Sequence, residues 1–199
     1  MTVLEGVRKE RAATTRAALI RAARDLFARQ GYHGAGTHEL VAAAQVTRGA
    51  LYHHFQDKAA LFEAVFLEVE ADLVRKSSAA VETLADDPWR QLSMGLEVFL
   101  RNIASHPEMQ RILLLDGPVV LGWAKWRELE SAFTLGHVVE SLTRSIEQGV
   151  LPDQPVVPTA HLIIAALNEA ALLIAHSEDP AATQVEVAQA LLTLVGGLR

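Results

Sequence analysis

The sequence has no cysteine. That excludes a disulfide framework, a thiolate zinc site, an iron–sulfur cluster and a cysteine nucleophile, and it fits a reducing cytoplasm. Only 6% of the 199 residues are aromatic, so the core must be mostly aliphatic. Strand-like alternation, internal repeats and low-complexity segments are lacking. The N-terminal stretch MTVLEGVRKERAATTR has no apolar core of signal-peptide length. The most apolar later stretch, His161 to Ala175, is short and carries Asn168 and Glu169, so it reads as a buried helix rather than a membrane span. No HExxH, glycine-rich phosphate loop or GxSxG occurs. The expectation is a cytoplasmic protein that is not an enzyme, with no cofactor, catalytic group or metal site. A metal-responsive variant using His106, His137, His161 or His176, and a helical protein-interaction module, remain as alternatives.

What is present is helix. Half of the residues are hydrophobic, and alanine and leucine, both good helix formers, dominate them. Between Ala13 and Gln30, Leu19, Ala22, Ala23, Leu26 and Phe27 recur at helical spacing, and Gly31 provides the stop. Short helices are predicted over 37–44 and 47–55. A longer helix after Asp57 places Leu61, Phe62, Val65, Phe66, Val69 and Leu73 on one face. Asp86–Asp87 before Pro88 marks a new start, and His106–Pro107 ends that helix near Ser105. Further helices are predicted over 131–148, 159–176 and 181–198. The architecture expected is all-α.

The net charge of −6 conceals an asymmetry. Residues 1–58 hold nine Lys and Arg against five Asp and Glu, a balance of +4, which leaves −10 on the remainder. A basic head on an acidic body is what a chain needs when one end meets phosphate and the other does not.

The stretch THELVAAAQVTRGALYHHFQDK (37–58) reads as two short helices around a tight turn. Thr37 is expected to cap the first, with Glu39 in its first turn. Leu40 and Val41 point inward, Ala43 and Ala44 allow close crossing, and Gln45–Val46 makes the turn. Thr47 caps the second helix, which buries Leu51 and Phe55. So short a helix is not stable alone, so it belongs to a three- or four-helix head. Its outward residues are Arg48, Ala50, Tyr52, His53 and His54. Gly49 costs about 1 kcal/mol relative to alanine inside a helix, which is tolerable where the backbone must approach another surface. Arg48 can pair with guanine edges or phosphate, and Tyr52 and His53 with phosphate oxygens. Lys58 begins the next helix after the cap Asp57. A cation there opposes the helix dipole and makes sense if a phosphate docks on that N-terminus; otherwise it is a solvated lysine paired with Asp57 or Glu63.

From about Thr15 to Phe66 the chain closely resembles the N-terminal domain of the tetracycline-repressor (TetR) family. The resemblance lies in ALIRAARDLFARQGY, Thr37, ELVAAAQVTRGALYHHF, and Lys58 followed by Leu61. It implies a helix-turn-helix head over residues 1–58 and a helical ligand-binding and dimerisation body over 59–199. By resemblance, Thr37, Thr47, Arg48, Gly49, Ala50, Tyr52, His53, His54 and Lys58 occupy DNA-touching positions. The chain departs from the family pattern at Leu40–Val41, an apolar swap, and at Ala50, which can read only an apolar group such as a thymine methyl. The resemblance also implies a homodimer on a palindromic operator, joined through the last two helices, whose sequences are apolar around most of their circumference. An unknown small-molecule effector would bind the body. The candidate pocket residues are Phe99, Met109, Asp116, Trp123, Trp126, Phe133, His137, Asn168 and Leu172, a few polar groups among bulky apolar ones.

Overall fold

The computed structural model describes residues 3–84 and 86–199; Met1 and Thr2 of the N-terminal stretch, and Ala85, lie outside the described residues. Among those described there is no strand, and helices follow one another along the chain. The head consists of α1 (Val3–Gly34), α2 (Thr37–Ala43), α3 (Arg48–His54) and the start of α4 (Lys58–Ala79). The body adds α5 (Pro88–Ser105), α6 (Pro107–Met109), a π-helical turn (Gln110–Asp116), α7 (Gly117–Leu121), α8 (Trp123–Glu147), α9 (Val156–Ala175) and α10 (Pro180–Gly196).

The predicted starts and stops are mostly where local chemistry puts them. Asp57, Asp87 and Asp179 cap α4, α5 and α10, each accepting from a backbone N–H three residues on. Those bonds satisfy donors that a helix start leaves unpaired. Gly31 interrupts α1 with φ 70° and ψ 170°, a region essentially reserved for glycine. Three boundaries differ from expectation: α1 begins at Val3, not near Ala13, and two others lie in the body. α8 begins at Trp123, not near Ser131, because Gly122 at φ 78° supplies the break and the buried Trp126 anchors the next turn. α9 begins at Val156 inside the proline-rich loop, so at 20 residues it is long and apolar enough to cross a membrane by length and composition. It packs instead against α5, α8 and α10, with Ile163, Ile164, Leu167 and Ile174 buried.

The head closes on an apolar core of Leu19, Phe27, Leu40, Leu51, Phe55 and Phe62, all buried. Ala43, expected at the α2–α3 crossing, faces solvent instead. α4 then runs from head to body without a break. At about 1.5 Å per residue it spans roughly 33 Å, with Lys58 at one end and Val74, Ser77 and Ser78 at a body cavity at the other.

Candidate nucleic-acid interface and body cavity

α2 and α3 meet through the turn at Gln45, whose φ of 54° lets the chain reverse in two residues. Thr47 caps α3, its Oγ1 accepting from the Ala50 amide at 3.2 Å. Thr37 is not a cap: Gly36 holds that position, and the Glu39 carboxylate accepts from the Gly36 amide at 3.1 Å. Thr37 is the first residue of α2 and half-buried.

With Leu51 facing the core, α3 turns Arg48, Gly49, Tyr52 and His53 to solvent. The Arg48 guanidinium lies 5.6 Å from the Tyr52 ring centre, a contact that extends the long side chain outward. A Cβ on Gly49 would meet only Thr47 Oγ1, at 3.8 Å, so no neighbour within the chain requires glycine there. Ala50 and His54 are half-buried rather than outward. Burial lowers the His54 pKa, with the charges of His53 and Arg16 adding to the effect, so that imidazole favours its neutral form.

Lys58 has a different role from the one its position suggested. Its ammonium donates to the carbonyls of Tyr32 at 2.7 Å and Ala35 at 3.1 Å, and lies 4.2 Å from the centre of the Tyr32 ring. Neither Asp57 nor Glu63 holds it. These carbonyls sit at the end of α1, where a helix lacks acceptor partners and its dipole is negative. The cation that opposes the α4 dipole therefore serves the α1 terminus.

The junction between head and body is polar. Arg24 of α1 pairs with Glu68 and Asp72 of α4, at 3.1 and 2.7 Å, and with Glu108 of α6. At the Gly31 break the Tyr32 amide donates to Asp116 at 2.7 Å, and Arg111 lies 3.4 Å from the same carboxylate. Both residues come from the π-helical turn, a rare geometry often found at functional sites.

The body holds a cavity of about 630 Å³ between α4, α5, α8 and α9, within the range of small-molecule sites. Leu92, Leu96, Phe99, Val138 and Leu167 form much of its wall. Of the candidate pocket residues, only Phe99 and His137 line it. Met109 is packed in the core. Asp116 is engaged at the junction. Trp126 is buried and donates its indole N–H to the Leu113 carbonyl at 2.8 Å, and Trp123 lies on the surface. Phe133 and Leu172 sit on cavity-forming helices without facing the cavity, and Asn168 is buried beside the wall residue Leu167. Bulk and helical spacing pointed to α5, α8 and α9 without giving the faces that line the cavity, and Met109 and Asp116 lie on elements that do not line it.

Sequence reading missed Glu70 and Glu130, both buried. The signal was a carboxylate four residues after Phe66 and another four after Trp126, each in register with a core position. Burial, and secondarily the Glu130 charge, pushes the Glu70 pKa up to about 8. Glu70 therefore holds a proton in the folded chain that the unfolded chain releases near 4.5. Stability should fall as pH rises between those values. Glu70→Gln should flatten that decline, checked by chemical unfolding from pH 5 to 9; an unchanged slope would mean Glu70 does not titrate with folding.

An all-helical chain with a helix-turn-helix head continuous through α4 with a helical body has the architecture of a DNA-binding regulator. Residues 19–65 match the model of bacterial regulatory proteins of the tetR family, and residues 89–198 match the tetracyclin repressor-like C-terminal domain. The crystal structure of a TetR-family transcriptional regulator from Pectobacterium atrosepticum is 34% identical and superposes with a TM-score of 0.83, covering 100% of this chain and 97% of that one. RolR in complex with resorcinol shares the fold at 20% identity and a TM-score of 0.74, over 94% and 90% of the two chains. A probable acrEF/envCD operon repressor from Escherichia coli strain K12 is 36% identical over 107 residues, which is 53% of this chain and 48% of that protein. The chain thus spans about half the length of the first curated relatives it matches. It belongs to the TetR family.

Proposed function

We propose that this chain is a cytoplasmic, non-enzymatic transcriptional repressor that binds a palindromic operator as a homodimer and leaves it when a small molecule occupies the body cavity. The observation that carries the DNA reading is α3: Arg48, Gly49, Tyr52 and His53 project outward from a helix whose opposite side is locked into the head. Thr37, Thr47 and Ala50 complete the DNA-facing set, and half-buried His54 borders it. Gly49 fits because DNA, not the chain, occupies the space beside it. A single short helix reads few bases, so two heads about 34–36 Å apart are needed. The exposed Leu162 and Leu173 of α9 and Val185 and Leu194 of α10 give the body an apolar face for a second copy.

In this reading residues 1–58 read DNA and residues 59–199 sense the ligand, with α4 shared. Because α4 holds the α1 terminus at one end and lines the cavity at the other, a ligand that shifts α4 changes the setting of the head. The ligand must bind the released geometry more tightly, by the usual 1–3 kcal/mol or about 5–150-fold. That RolR was crystallised with resorcinol supports a small effector for a body of this shape.

The test is selection of duplexes from a random library, followed by titration at two salt concentrations. A palindrome should be enriched. Arg48→Ala should weaken binding to it by about 1–3 kcal/mol and relax specificity at one position per half-site. Lys58→Met should lower thermal stability by unpairing two carbonyls while leaving the salt slope of the folded protein unchanged. A slope reduced by about 0.9 per lost contact would instead make Lys58 a phosphate ligand, and a library without enrichment would reject the regulator reading.

A further inference from the structure

Three helices bring a polar cluster against one wall of the body cavity. Glu70 of α4, Glu130 of α8 and Asn168 of α9 are 2%, 6% and 5% exposed. The Asn168 side chain favours the charged form of Glu130 against the effect of burial. In this cluster and the adjoining Thr134, four buried polar atoms have no hydrogen-bond partner among the described residues: Glu70 Oε1, Glu130 Oε2, Thr134 Oγ1 and Asn168 Nδ2. Thr134 lines the cavity, as do Val74, one helical turn beyond Glu70, and Leu167, next to Asn168. Buried polar groups normally find partners, and leaving one unpaired costs about 1–3 kcal/mol, more when it is charged. Three of the four atoms are oxygens, and all three can accept once Glu70 and Glu130 are ionised.

An alkylammonium supplies three donors and a positive charge. At Thr134, which lines the cavity, it would stand before two carboxyls buried behind that wall, while the apolar wall receives its carbon frame. Arg75, His137 and Arg144 also line the cavity, and Arg144 has an interaction of its own. Arg127 acts on Glu130 electrostatically, but its guanidinium lies 5.9 Å from the Trp123 ring centre. Arg75, at the cavity mouth, pairs with Asp72 at 2.9 Å. An anionic ligand would instead face two carboxyls.

We propose that the cavity takes an amphipathic amine, its apolar body against Leu92, Leu96, Phe99 and Val138 and its ammonium bonded to Glu70, Glu130 and Thr134. This rests on the reading of the cavity as the effector site. Burial raises the pKa of both carboxyls, that of Glu70 to about 8. An arriving cation favours the ionised form, so near neutral pH binding releases a proton to solvent.

The experiment is calorimetric titration of the full chain with naphthylmethylamine, naphthalenemethanol and naphthoate, three probes with one aromatic frame and different charge. Two buffers of different ionisation enthalpy read proton release, and DNA affinity is followed in parallel. The amine should bind at least about tenfold more tightly than the alcohol, with naphthoate weakest and proton release for the amine alone. Glu70→Gln and Glu130→Gln should each reduce the amine-to-alcohol ratio by about tenfold or more, thermal unfolding showing that each variant is folded. Equal binding of amine and alcohol, no amine binding, tightest binding of naphthoate, or an intact ratio in both variants overturns the proposal. Selective amine binding that leaves operator affinity unchanged keeps the cation site and rejects the effector reading. Release by the alcohol or naphthoate alone does the reverse.

Discussion

Leu162→Glu combined with Leu194→Glu is expected to yield a folded monomer that no longer holds a palindromic operator. The two leucines are 72% and 64% exposed, on the α9–α10 face that lacks a partner within the chain. Covering one leucine side chain is worth about 1.5–3 kcal/mol, and a two-fold axis counts each twice. Glutamates there would have to be buried without partners, which costs several kcal/mol more per ion. Two linked heads gain about 10²–10⁴ over one, so operator affinity should fall by at least about two orders of magnitude. Sedimentation measures the association state and fluorescence anisotropy the affinity. Circular dichroism should not change, because neither side chain is packed within its own chain. A variant that remains dimeric would place the interface elsewhere.

The largest loss of stability is expected at Phe62. It is fully buried on α4, with its ring centre 5.3 Å from that of Phe27 and 5.4 Å from that of Tyr32, both on α1. Phe62→Ala empties the space where the head is fastened to α4 and should cost about 3–5 kcal/mol. Total stability is about 5–15 kcal/mol, so the variant approaches the limit of folding. At about 2–4 °C per kcal/mol for a chain of this size, the melting temperature should fall by roughly 6–20 °C. Because α4 belongs to both head and body, calorimetry should show one transition displaced as a whole. An early transition that alone shifts would mean that the head unfolds separately and that the division near residue 58 is a thermodynamic one.

Reading the sequence went furthest where the cause is local. The caps Thr47, Asp57 and Asp87, the break at Gly31 and the stop at His106–Pro107 depend on side chains within a few residues of the backbone they satisfy. The outward set on α3 was legible for a related reason, because Leu51 and Phe55 must face inward and the helix period then dictates what faces out. His54 escaped that rule, being half-buried. Thr37 was misplaced by one residue because a glycine took the cap position, with Glu39 supplying its partner from within the helix.

The cavity was less legible. Helical spacing shows that Phe99, Met109, Trp126 and Asn168 belong inside, but not whether the inside is packed or hollow. Trp126 proved to be core because a carbonyl thirteen residues earlier accepts its N–H. Asp116 proved to belong to the junction because the π-helical turn brings it to the Tyr32 amide. Lys58 is the sharpest case. Its sequence position opposes the dipole of its own helix, and only the packing of α1 against α4 shows which carbonyls it serves.

The sequence by itself determined an all-helical chain, a helix-turn-helix head with the outward face of its second helix, and an apolar pair of closing helices, because hydrophobic period and capping chemistry act over a few residues. The tertiary structure alone decided where the cavity lies, what Lys58 and Asp116 hold, and that Glu70, Glu130 and Asn168 converge. Those outcomes depend on which distant helices pack together, and the burial that creates unpartnered carboxyls exists only after they do.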